Sequence, residues 1–177
     1  MRSVPYASAV GNLIYIMVCT RPDITQVVGD VSRLMHDPER SHWQDVKSIL
    51  RYLKGKVDVG LVFERQSSVA DLCVGYIDSY YAGDIDRRRS VTGYVFTLAG
   101  GPVSWRLGLQ STVALSIIEA GYMATIEAVK ESIWMLGLLD DLGVDQKSLT
   151  LLCYVIVRVL YIWPQIQSFM LVPSTLM

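Results

Sequence analysis

The chain of 177 residues is 51% apolar and 19% charged, which suits one ordinary domain or a small domain with an appendage and excludes wholesale disorder. A formal net charge of −1 excludes a global pull toward nucleic acid or an anionic membrane, so any such contact must come from a local patch. Cys19, Cys73 and Cys153 are odd in number and far apart with no CxxC pair, which excludes a disulfide framework or zinc site and predicts reduced, buried thiols.

At the N-terminus, Met1-Arg2 ahead of the apolar run Val10–Cys19 makes a poor secretory leader. Asn12 interrupts the run, and Thr20-Arg21-Pro22 stands where small residues should precede a cleavage point. No segment reaches the roughly 18 to 20 uninterrupted apolar residues of a membrane span; Leu13–Cys19 and Leu151–Trp163 come nearest, and Arg158 interrupts the second. Residues 4 to 55 read as punctuated helices. Ala7–Val18 is small and apolar, and Pro22 suits the first turn of a second helix carrying Ile24, Val27, Val28, Val31, Leu34 and Met35 on one face. Asp37-Pro38 predicts the cap of a third, with the stripe Trp43, Val46, Leu50 and Leu53 and a stop at Gly55. Lys47, Arg51, Lys54 and Lys56 gather at its end, either as a solvated face favoured by the helix dipole or as a phosphate-contacting edge.

From Val57 the period becomes strand-like. Val57–Glu64 and Leu72–Asp78 read as strands around the loop Arg65–Ala70, the second apolar on both faces as in a central, doubly covered strand. It ends at Asp78, which either starts a turn or stands where a buried strand delivers a metal-binding carboxylate. After the tight basic turn Arg87-Arg88-Arg89-Ser90, a hairpin joins Val91–Leu98 to Val103–Leu107 through Gly100-Gly101-Pro102. Ser116-Ile117-Ile118-Glu119 forms a capping box, opening a helix with Tyr122, Ile126, Val129, Ile133 and Leu136 on one face and Gly143 beyond its end. Leu149–Cys153 is a last buried strand. The order predicts an α/β layer fold, antiparallel strands leading to a parallel one, behind an N-terminal helical segment.

VPYASAVGNLIYIMVCTRPDI, HWQDVKSILRYLKG, GYIDSYYAGD, RRRSVTGYVFTLAGGPVSW, LQSTVALSIIEAGYMA and AVKESIWMLGLLDDLGV together resemble the end of the Pol polyprotein of copia-type LTR retrotransposons, from Val4 to about Cys153. The resemblance implies that residues 4–55 are the tail of a reverse transcriptase. It implies that residues 57–153 are a truncated ribonuclease H-like domain, an incomplete mixed sheet of the kind that cuts the RNA strand of RNA–DNA hybrids. Such enzymes hold two Mg²⁺ ions about 4 Å apart on several convergent carboxylates. Asp78 matches the family's first ligand. The family's helix motif reads EAEY with its second glutamate as ligand, and Glu119-Ala120-Gly121-Tyr122 places Gly121 there. Glu119 is accounted for by its cap, and Asp84 and Asp86 match no ligand.

The family continues after its cysteine as CDSQSA, whereas residues 154–177 here share nothing with it. Permitted codons for Tyr154–Met177 read in a shifted frame give CDSESALYLATNPKFHARTKHID, so the tail reads as a frameshift. The expectation is therefore a catalytically inactive fragment without bound Mg²⁺, at most contacting nucleic acid weakly through Arg87, Arg88, Arg89 and Lys54. Its apolar tail is expected to be loosely held or aggregation-prone. The chain is also similar to a sequence among the secreted RxLR-type effectors of oomycete plant pathogens. That resemblance implies secretion and a host plant protein as partner, with Arg51-Tyr52-Leu53-Lys54 as an RxLR-like match inside a helix. A Pol fragment would sit in cytoplasm or nucleus. An active hybrid-cutting ribonuclease is the third reading, opposed by the missing ligands.

Overall fold

The computed structural model describes residues 4–61, 63, 73–98, 100–143 and 150–153, the last four by backbone alone. The described residues divide into two compact units, one running to Leu61 and the other from Phe63 to Cys153.

In the first unit, helix α1 (Tyr6–Cys19) puts Tyr6, Val10 and Leu13 into the core. The segment that resembles a poor leader is thus a core helix. Pro22 opens a 3₁₀ turn, Pro22–Ile24, that runs directly into α2 (Thr25–Ser32), because a fixed φ and a missing N–H cost nothing at that position. Helix α3 (Arg40–Lys54) starts later than Asp37-Pro38 predicts. Its cap is Glu39, whose N–H donates to His42 Nδ1 at 3.1 Å, a local partner that spacing rules for Asp-Pro do not reveal. Ile24, Val28, Val31, Val46 and Ile49 complete the core, with Trp43 and Leu53 packed against it. Val27, Leu34, Met35 and Leu50 stay exposed, so Ile49 takes the place predicted for Leu50. The Tyr6 hydroxyl donates to the Val31 carbonyl at 2.9 Å, and its ring lies 6.4 Å from that of Trp43. Gly55 ends α3 in ordinary right-handed backbone.

Val57–Glu64 is not a strand over its described residues. Residues 55–58 turn, and Val57 stands in solvent. Its alternation has no sheet to join. Arg65–Ala70 lies outside the described residues.

The second unit is a mixed four-stranded sheet of β1 (Val74–Tyr80), β2 (Val91–Leu98), β3 (Gly101–Leu109) and β4 (Thr150–Cys153), in the order β3-β2-β1-β4. The first three strands are antiparallel neighbours, and β4 lies parallel to β1. A parallel neighbour requires a crossover, and the 25-residue helix α4 (Ile117–Asp141) is that crossover. The hairpin turn is shorter than predicted, since Gly101 and Pro102 already belong to β3 and pair with Leu98 and Thr97 across an irregularity at Phe96/Thr97. Gly100 supplies the left-handed residue the turn needs.

The face of α4 that packs on the sheet is not the predicted one. Ala120, Gly121, Ala124, Ala128, Ser132, Met135 and Leu139 are buried, while Tyr122, Ile126 and Ile133 face solvent and Val129 and Leu136 are half-buried. The reason is close approach. Small helix residues make room for Cys73, Ile77, Tyr94 and Phe96 rising from the strands. Polar stitches fix the contact, because Gln110 Nε2 donates to Thr92 Oγ1 at 3.0 Å and to the Ala120 carbonyl at 2.8 Å. Ser104 Oγ donates to Glu131 Oε1 at 2.6 Å. Cys73 is buried as expected, but Cys19 is exposed at the end of α1, and the Cys153 side chain lies outside the described atoms.

Candidate active site and basic surfaces

Strand β1 alternates. Cys73 and Ile77 join the core under α4, so Asp78 falls on the opposite face, beside Gly93 of β2. The strand does not stop at Asp78 but runs on to Tyr80. Asp78 is 6% exposed, and its Oδ1 accepts the Ser79 N–H at 2.7 Å. Burial pushes its carboxyl up to about 6, against the lowering effect of that amide. Burial thus favours the neutral form of this carboxyl.

The helix residues that should complete a metal site are differently engaged. Ser116 Oγ accepts the Glu119 N–H at 3.1 Å, as a cap should. The return bond differs from the predicted box: Glu119 Oε2 accepts the Leu115 N–H at 2.6 Å, one residue upstream of the expected Ser116 amide. Position 121 is a glycine in the buried row of α4, with no side-chain atom to offer. Its carbonyl accepts the Thr125 hydroxyl at 2.9 Å. Asp84 Oδ1 accepts the N–H groups of Asp86 and Arg87, both at 3.1 Å, so it shapes its own loop. Among the described residues no three His, Cys, Asp or Glu side chains gather as metal ligands would. The positions after Cys153 lie outside the described residues.

The basic residues fall into two groups. Arg87 and Arg88 are exposed on the loop after β1. Arg88 adopts left-handed backbone with φ of 54°, and the Asp84 N–H closes the loop on the Arg89 carbonyl at 3.0 Å. Arg89 Nη2 donates to the Ser111 carbonyl at 2.8 Å, so that guanidinium is partly committed to the fold. Lys54 belongs to the other unit, on α3 with Lys47 and Arg51. Arg51 Nε donates to the Lys47 carbonyl at 3.3 Å and its Nη2 to Ser48 Oγ at 3.2 Å. In the quartet Arg51-Tyr52-Leu53-Lys54, Leu53 packs on the core and the Tyr52 hydroxyl donates to Asp23 Oδ2 at 2.9 Å. The quartet is a helical turn engaged on one side, not an extended signal.

Two buried polar centres had no sequence forecast. Arg21 and Asp23 form a bidentate ion pair, Nε to Oδ1 at 3.0 Å and Nη2 to Oδ2 at 2.7 Å. Arg21 Nη1 also donates to the Lys56 carbonyl at 3.1 Å, and its guanidinium lies 5.7 Å from the Tyr52 ring centre. The only signal was an arginine and an aspartate flanking a proline at a helix start. Gln110 gave none, since its role depends on a strand end and a helix start that meet only in the fold. Among the described helices none is long and apolar enough to cross a membrane.

Comparison with known proteins places this geometry in context. The chain is 50% identical over 153 residues to the retrovirus-related Pol polyprotein from transposon TNT 1-94 of Nicotiana tabacum, a match covering 86% of this chain and 11% of that protein. It is 35% identical over 140 residues to the Pol polyprotein from transposon RE2 of Arabidopsis thaliana, covering 79% and 9%. It is 49% identical over 135 residues to secreted RxLR effector protein 161 of Plasmopara viticola, covering 76% of this chain and 94% of the effector. The chain thus spans about a tenth of the length of the two Pol polyproteins. No family model and no solved structure matches it.

Proposed function

We propose that this chain, similar to retrovirus-related Pol polyproteins from copia-type transposons, is a decayed Pol fragment, a ribonuclease H-like fold that has lost its chemistry. Three antiparallel strands, a long crossover helix and a parallel edge strand are the arrangement such a fold begins with, which supports that part of the reading. One observation carries the loss of activity. Where the family resemblance puts a ligand glutamate on α4, Gly121 offers no carboxylate, and the nearby Glu119 carboxylate caps the helix. A two-metal reaction needs several carboxylates at one point, and Asp78 by itself cannot hold two ions.

The test is incubation of the purified chain with a labelled RNA–DNA hybrid and Mg²⁺ or Mn²⁺. No metal-dependent cleavage is expected. Cleavage that Asp78→Asn abolishes would overturn the proposal. For the tail, the gene itself decides: its bases must spell CDSESALYLATNPKFHARTKHID in the shifted frame after Cys153.

A second reading is favoured by the 49% identity over nearly the whole of the Plasmopara effector: a secreted effector acting on a host plant protein to suppress defence. The identity discriminates poorly, because the tobacco Pol polyprotein is matched as well. A cleaved leader would also remove Tyr6, Val10 and Leu13 from the core of the first unit. A secretion reporter fused to residues 1–30 separates the readings, since a leaderless effector has no route out of its cell.

A further inference from the structure

We draw no further inference here: the strongest candidate, the row of exposed cations Arg40, Lys47, Arg51 and Lys54 along the outer face of α3, restates the nucleic-acid contact that the likeness to Pol polyproteins already implies.

Discussion

Asp78 is a buried carboxylate whose pKa of about 6 lies above its ordinary value of 3.8 because burial penalises the charged form. A raised folded-state pKa means that the folded chain holds this proton more tightly than the unfolded chain does. The stabilisation it confers is complete below pH 4 and is lost as pH rises through about 6. At about 1.4 kcal/mol per unit the loss amounts to about 2 to 3 kcal/mol by pH 7.5. In Asp78→Asn an amide oxygen still accepts the Ser79 N–H, and no charge forms at any pH. The variant should therefore match the wild type near pH 4 and exceed it by about 2 to 3 kcal/mol at pH 7.5. Hydrogen exchange of peptides covering β1 and β2 reads the sheet without the helical unit. Compared at equal pH, the variant should exchange about 30- to 150-fold more slowly at pH 7.5 and at an equal rate near pH 4. Equal exchange at pH 7.5, or faster exchange in the variant, would refute the burial argument. If Asp78 alone seats no ion, as proposed, added Mg²⁺ should not protect the wild type.

Other outcomes follow from the same geometry. Arg21→Ala leaves Asp23 buried without its cation and should cost about 3 to 5 kcal/mol in urea denaturation, whereas Tyr52→Phe removes one bond to a still-paired carboxylate and should cost about 1 to 2 kcal/mol. A Cβ on Gly83 would collide with the Tyr80 ring at Cδ1 and lie 3.1 Å from Val91 Cγ2. Gly83→Ala should cost about 1 to 2 kcal/mol, much of it relieved in a Tyr80→Ala background, a coupling that a double-mutant cycle measures directly. If the loop after β1 contacts phosphates, replacing Arg87 and Arg88 together by alanine should lower the slope of log affinity against log salt by about 1.8 for double-stranded and about 1.4 for single-stranded nucleic acid.

The helical unit was readable because its apolar residues recur at helical spacing and Pro22 marks a boundary by its covalent structure alone. The start of α3 was not, since Glu39 caps it through a histidine side chain three residues on. Periodicity failed most on α4. Large apolar residues dominate any hydrophobic count, so the row of Tyr122 and Ile133 looked like the core face. Packing against a sheet that carries Tyr94 and Phe96 instead selected alanine and glycine, whose merit is what they leave out. The alternation in Val57–Glu64 was real but local, and no neighbour pairs with its described residues. For the site, Asp78 was visible as a charge ending an apolar run. Its burial, and the use of Glu119 as a cap reaching Leu115, depend on contacts that spacing does not encode.

Cys73 sits under α4 with no exposed surface, and burial raises its thiol to about 11. An alkylating reagent reaches that sulfur only when the sheet and helix part, and even then finds little thiolate below neutral pH. Its labelling rate is thus a native clock for the opening of the second unit, while exposed Cys19 in the first unit supplies the zero of time.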